Sequence, residues 1–513
     1  MINPFKHRWV RVTAWIFVSL VTLYLLLWAA LNWTGARMLR AAEARIKAAG
    51  ESVELRDILP DPVNDEQNFC AIPVLKDLAL VIDGDAAKGE PAAKRERLKS
   101  LGFWMSDRAR QHGRKSVLEP KGAKTGMRCD LAAWRDYFRR VGRLPDAPKP
   151  GDPAREVLEA LSTQDAVVAE LAAGLERPVA QWTPACKERL SMVATADLSR
   201  PHFGTVVSLC RALSLRAAAA AQAGDAKKAH EALRILIKVY EATAHETTLT
   251  GWLVSTAMTA SVASAAWELC DARLGTADDF ARLEEAFCRL DHRAAALQTW
   301  RSELAFGLLF WQQGKNTGDM RWVNPDDPPS QMIGRWVPDG LYDGKSAVAA
   351  ESGLDTVILP LRDHGWVAAL SAVESREAEL ANAPKGWLAC LHPFQERVFG
   401  EVPAISLFRR AFYAQCLIDQ ATVACVLERH RIETGGYPET LDRLKLASGR
   451  PLPLDVISGK PMGYRTTANG RYALWCVGLD REDDGGKRRH EPIWDPAEKG
   501  WKGDWLWSYP TGT

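Results

Sequence analysis

The chain has 513 residues, 47% of them hydrophobic and 25% charged, which is ordinary globular composition with length for about two to four domains and excludes a disordered or low-complexity polypeptide. Sixty-six Lys and Arg against 64 Asp and Glu leave a net charge of +2, so charge offers no argument for nucleic acid. Ten cysteines are too dilute for a small disulfide-built scaffold, and 20 Trp against 9 Tyr point to large, rigid packing anchors.

Residues 1–12 read as a short basic cytoplasmic tail, and residues 13–36 as a transmembrane helix within the uncharged run Val12–Ala36. As a helix that run spans roughly 37 Å, enough to cross a hydrocarbon core of about 30 Å. Trp15, Trp28 and Trp33 lie near its ends, where indoles favour the headgroup level. The alternative is a cleaved signal peptide, but its apolar core should be about 7–15 residues and end in small residues. Here the exit is Leu31-Asn32-Trp33. Basic residues flank both ends, so their count does not orient the span. Moving the charged tail across would cost about 2.3 kcal/mol per charge per 100 mV. The expected arrangement is therefore a single-pass inner-membrane protein with its N-terminus inside and its body extracytoplasmic.

Residues 37–50 read as a helix continuing out of the membrane and stopping at Gly50, and 52–60 as extended chain. Residues 37–150 as a whole form a juxtamembrane, basic and irregular region. Within it, 85–128 carry an excess of Lys and Arg, read either as a solvated loop with a helix or as a surface for anionic lipid or polysaccharide. The Pro-rich stretch 143–152 marks a boundary. From 151 to 314 apolar residues recur at helical spacing, predicting an antiparallel α-helical domain. Its clearest unit is 214–244. Ala217, Ala220 and Ala221 allow close helix approach, Gly224-Asp225 makes the turn, and Ala229, Leu233 and Leu236 continue the face. That spacing resembles a tetratricopeptide hairpin, though only one copy is visible. Residues 315–350 read as a long loop rich in Pro, Gly and Asp, and 351–431 as helical again. A small β module is expected over 432–513, with a hairpin of GKPMGYRT and RYALWCVG turning at Asn469-Gly470. The predicted fold class is thus mainly α, with an N-terminal transmembrane helix and a small C-terminal α+β module.

The motifs of common chemistries are missing. DGLYDGKS (339–346) has Asp339 where a phosphate-binding loop needs Gly, and no buried strand precedes it, so no nucleotide is expected. There is no GxSxG, no HExxH and no CxxC. His430 beside Glu428 reads as an exposed helix-end histidine. Glu374, Glu377 and Glu379 with Arg376 read as a charged helical surface. In an oxidising compartment some of the ten cysteines could pair; Cys416 and Cys425, about 13 Å apart along one helix, cannot bond each other, and most of the others read as small core residues. The acidic loop LDREDDGG (479–486), with Asp504 downstream, is read either as a solvated turn held by nearby basic residues or as a calcium site, since clustered carboxylates and turning glycines suit a hard cation.

Residues 417–507 resemble the globular part of a type II secretion major pseudopilin. A helix runs into GGYPETL, then PLDVISGKPMGY, the strand RYALWCVG, DxxDDGG and a final GDWLW. The resemblance implies a calcium ion held by the Leu479 carbonyl, Asp480, Asp483 or Asp484, and Asp504. The family's loop is shorter, its Asp-Pro is Asp455-Val456 here, and the N-terminus lacks the pilin cleavage signal. The whole chain also resembles a family of membrane-anchored proteins of planctomycete and verrucomicrobial bacteria. That likeness rests on DEQNFCAIP (65–73), the 200–217 stretch, RSELA (301–305) and the C-terminal module. The family has no established activity, so it implies architecture and location only.

These readings favour a non-enzymatic, membrane-anchored extracytoplasmic scaffold that binds a protein partner on its helical domain, with no nucleic acid or nucleotide. The alternatives are a part of a pilus-like or secretion-like envelope assembly, and an extracytoplasmic hydrolase with its site between the helices and the 315–345 stretch. A cavity with convergent carboxylates or histidine would favour the enzyme, and an apolar exposed groove the binding module.

Overall fold

The computed structural model describes residues 4–61, 63–76, 78–79, 90–101, 120, 124–146, 151–182, 202–317, 338–381, 404–487 and 502–510. It is mainly helical. In chain order the helices are α1 (Pro4–Ala48), α2 (Leu55–Ile58), α3 (Glu90–Leu101), α4 (Leu131–Arg140), α5 (Pro153–Ala160), α6 (Asp165–Ala173), α7 (Phe203–Gln222), α8 (Ala226–Ala244), α9 (Leu249–Ala272), α10 (Ala277–Phe287), α11 (His292–Thr317), α12 (Asp339–Gly353), α13 (Trp366–Ala381) and α14 (Ala404–Thr434). The strands are β1 (Gly463–Thr467), β2 (Arg471–Cys476) and β3 (Trp505–Ser508). The chain divides into two compact units built from separated segments. One takes Met1–Leu59, Trp300–His364 and Ser371–Ala404, and the other Pro60–Thr299, Gly365–Leu370 and Ile405–Thr513.

In the first unit α1 is one unbroken helix of 45 residues, long and apolar enough to cross a membrane. Its apolar stretch is exposed throughout, from Trp9 to Trp28. Thr13 and Thr22 return their hydroxyls to the helix's own carbonyls. The helix stops where expected. Gly50 adopts φ +79, and the Glu51 N–H reaches back to the Ile46 carbonyl at 3.1 Å.

Two expectations fail in this unit. Residues 52–60 are not extended throughout: the Ser52 hydroxyl accepts from Glu54 N–H at 3.0 Å and donates to Asp57, nucleating the short α2. Residues 315–350 are not loop throughout. Helix α11 continues to Thr317 and α12 occupies Asp339–Gly353, while 318–337 lie outside the described residues. Gly340, within that Gly-rich stretch, is buried against α1. A Cβ on Gly35 would stand 1.8 Å from the Gly340 carbonyl oxygen, and the Gly340 N–H donates to Asn32 Oδ1 at 2.7 Å. Glycine is used here for close backbone approach, not for a turn. Below this crossing Glu51 is buried and receives Arg301 (2.6 and 2.9 Å) and Arg362 (2.8 Å). Arg301 is the first residue of the RSELA stretch.

The second unit is a stack of antiparallel helices carrying a three-stranded sheet. Four helix starts are capped by the residue type their position needs: Asp152 ahead of Pro153, Asp225, Thr248, and a Thr276/Asp279 capping box. Helices α7 and α8 form the expected hairpin, with Gly224 at φ +79. Ala217, Ala220, Ala221, Ala229, Leu233 and Leu236 are all buried in it. Helix α7 is also apolar enough for a membrane span, but it is a core helix.

The sheet order is β1-β2-β3, antiparallel throughout, with Gly463 opposite Trp475 and Cys476 opposite Trp505. The β1–β2 turn is the predicted one, with Gly470 at φ +67. The sheet does not stand alone. Trp267 of α9 donates its indole N–H to the Ser508 carbonyl at 3.0 Å and stacks on Tyr509, and Gln420 of α14 donates to the Trp505 carbonyl at 2.6 Å. Trp505 and Trp507 are thus core anchors, while Trp494 and Trp501 lie outside the described residues.

Candidate functional site

The four residues Cys288–Asp291 join α10 to α11. Asp291 caps α11, accepting from the Arg293 and Ala294 N–H groups at 2.8 and 3.0 Å. A cavity lies on each side of this turn, one of about 430 Å³ and one of about 470 Å³, and Leu290 and Asp291 line both.

The first cavity is walled by Tyr240, Glu241, Arg289 and His292. The Tyr240 hydroxyl and His292 Nε2 share a hydrogen bond of 2.5 Å, and Thr259 Oγ1 is 3.2 Å from the same nitrogen. Burial lowers His292 to about 3 and pushes the Tyr240 phenol far up, so both stay neutral at any working pH. A general base needs a pKa near the operating pH, which this pair lacks. Glu241 is buried with Lys238 at 3.1 Å and Arg289 at 3.9 Å, so its charge is balanced locally.

The second cavity is walled by Trp366, Gln415, Asp419, Arg450 and Asp455 among apolar side chains. Gln415 ties the two cavities together. Its carbonyl accepts the His292 backbone N–H at 2.8 Å, and its amide donates to Asp419 Oδ1 at 2.9 Å. Asp455 is fully engaged, accepting from the Ile457 and Val477 N–H groups and the Ser458 hydroxyl. Asp419 is different. Burial pushes its carboxyl up to about 8, the Asp291 and Asp455 charges add to the shift, and only Gln415 opposes it. It carries its proton at neutral pH. No motif announced these residues. The one signal was a carboxylate inside the otherwise apolar helical run AQCLIDQATVACVL.

Of the residues expected at a metal, Asp480, Asp483, Asp484 and Asp504 do come to one loop. The carboxylate oxygens of Asp480, Asp483 and Asp504 serve the protein's own donors. Asp504 accepts the Gly486 and Asp484 N–H groups at 2.7 and 3.3 Å, and Asp480 accepts the Gly503 N–H at 2.9 Å. Asp483 accepts the Trp475 indole N–H and the Gly485 N–H, both at 2.9 Å. Leu479 lies at the start of this loop, and the Arg465 guanidinium bonds the Gly485 carbonyl. Among the described residues no group of three or more His, Cys, Asp or Glu is placed to hold a metal ion. The acidic loop is a set of backbone-capping turns, and it does not need a cation to explain its shape. We therefore expect the melting temperature to be the same in millimolar calcium and in chelator. A rise with calcium, lost in Asp480→Asn, would show that the carboxylates also serve a metal.

The other sequence candidates are structural. Glu428, beside His430, is buried and takes the Tyr437 hydroxyl at 2.6 Å and Arg431 at 2.8 Å. Arg376 pairs with Glu379 at 2.9 Å on α13. Comparison with protein-family models, with curated proteins and with solved structures returns no match for this chain.

Proposed function

We propose that this protein is a single-pass, membrane-anchored scaffold whose body lies outside the cytoplasm and binds a protein partner on its helical domain. The observation that carries the reading is α1, whose apolar stretch is exposed on every side and which continues without a break into helical contacts of the body. The α7–α8 pair serves as a tetratricopeptide-like surface. Helix α14 and the sheet form a pseudopilin-like module, compatible with a place in an envelope assembly. The neutral Tyr240–His292 pair supports a non-catalytic core.

Fractionation of cells making the full chain tests the anchor. Protein should remain with inner membranes through carbonate extraction, and added protease should digest the body in spheroplasts while leaving it intact in sealed inside-out vesicles of the opposite sense. A soluble product with a mature N-terminus near residue 36 would overturn it.

Asp419 favours a second reading, a hydrolase in which this carboxyl is the general acid. A protonated carboxyl in a cavity with ionised neighbours is the arrangement that acid catalysis of glycoside cleavage uses. Turnover of chromogenic glycosides, abolished by Asp419→Asn, would establish it.

A further inference from the structure

Beyond its uncharged run, α1 carries Arg37, Arg40, Arg45 and Lys47 against a single acid, Glu43. On the anchored reading these cations lie on the translocated side, which the positive-inside rule does not favour for them. Arg45 is accounted for within the fold. It holds Asp355, just past α12, in a two-point pair at 2.7 and 2.8 Å. Among the described residues no carboxylate pairs with Arg37 or Arg40, and both are exposed.

The helix sorts its residues onto two faces here. Gly35, Ala42 and Ile46 are buried, and Gly35 packs on Gly340 of α12. At about 100° per residue, Trp33, Arg37 and Arg40 fall within about 60° of one another and roughly opposite Gly35. Trp33 is 64% exposed, and the Arg37 guanidinium lies over its ring, 5.5 Å from the centroid. That contact holds the cation against the indole without neutralising it. The same face runs down without a break into the exposed apolar stretch of α1.

Height follows from the helical rise: Arg37 stands about 6 Å above Trp33, and Arg40 about 10 Å. A headgroup layer is about 5–8 Å deep on each side of a hydrocarbon core of roughly 30 Å. Helical side chains lean toward the N-terminus, here toward the bilayer, as the Arg37 guanidinium does in reaching back to Trp33. An indole at the hydrocarbon edge therefore sets one guanidinium at the phosphate level, and a second within reach above it. Each guanidinium offers a planar fork of N–H donors that fits two phosphate oxygens.

We propose that Trp33, Arg37 and Arg40 form a site for the phosphate of an anionic phospholipid, on the face of α1 turned away from α12. The proposal rests on the membrane-anchored reading of α1. Two unpaired cations select a headgroup of net negative charge over a zwitterionic one. Trp33 meets the glycerol and upper acyl region, Arg37 takes the phosphate, and Arg40 closes on it from above.

The test is photolabelling of the full-length protein in phosphatidylcholine vesicles. A trace of phosphatidylglycerol, or of phosphatidylcholine, carries a diazirine near the glycerol end of its acyl chain, and the labelled residues are mapped by digestion. Phosphatidylglycerol should label α1 around Trp33 in clear excess over phosphatidylcholine. Arg37→Gln and Arg40→Gln should each lower that excess about fivefold, and the double variant should abolish it. Lys47→Gln should leave it unchanged, because Lys47 stands about 16 Å above Ala36 and clear of the headgroups. Equal labelling by the two lipids, or an excess that survives in the double variant, overturns the proposal and leaves the anchor standing if the protein resists carbonate extraction. An excess found only near Arg8 and Arg11, at the other end of the span, overturns it in the same way. Release of the body by carbonate, with a mature N-terminus near residue 36, overturns the anchor and this site together.

Discussion

Arg429→Met should lower the stability of the second unit by about 3–5 kcal/mol, read as a fall in the urea midpoint of its unfolding transition. Glu284 of α10 is 1% exposed, and its carboxylate takes Arg429 of α14 at 2.7 and 3.3 Å and the Ala447 N–H at 2.8 Å. The guanidinium also donates to the Lys445 carbonyl at 2.9 Å. One pair thus joins two helices and the segment that leads into the sheet. Removing the cation strands a buried carboxylate with a single N–H, which costs more than the pair itself contributes. The double variant Glu284→Gln/Arg429→Met should recover most of the loss. A single variant within about 0.5 kcal/mol of wild type would show that water reaches Glu284 and screens it.

Asp419→Asn should stabilise the protein increasingly as pH rises. The folded state holds the Asp419 proton up to about 8, while the unfolded chain releases it near the ordinary 3.8. Between those values the unfolded state binds fewer protons, so wild-type stability falls as pH rises, by about 1.4 kcal/mol per unit from this group alone. Below about pH 4 the carboxyl is protonated in both states and the variant should match wild type. At pH 8 it should be several kcal/mol more stable. His292 acts with the opposite sign. Its folded value near 3 means that stability is lost as pH falls below 6.5, where only the unfolded imidazole takes a proton. A variant no more stable at pH 8 than at pH 4.5 would place Asp419 in contact with solvent. A variant that gains stability and loses turnover would show a carboxyl kept for chemistry at a cost to the fold.

What was legible in the sequence was whatever is local. The Gly50 stop, the Gly224-Asp225 turn and the Asn469-Gly470 hairpin follow from residues within a few positions of each other, and the structure has all three. The buried alanine face of α7 follows from spacing alone. What was not legible depends on partners far along the chain. Gly340 reads as a loop residue until Asn32 and Gly35 stand against it. Asp419 becomes exceptional only when the fold buries it, with Asp291 and Asp455 from elsewhere in the sequence facing the same cavity. The acidic loop shows the same limit. Its composition suits a cation, but composition does not say that Asp504 is already bonded to the Gly486 and Asp484 amides.

The glycine crossing between α1 and α12 changes what the N-terminal helix means for export. On the anchored reading, the residues that touch α12, Leu31, Asn32 and Gly35, are the last turn before the span would be cut from a secreted product. A peptidase acting there would remove the surface on which α12 is packed, not just a hydrophobic leader. The span is therefore a folded element of the first unit as well as a tether, and a foreign membrane helix could replace its upper turns only if Asn32 and Gly35 were kept.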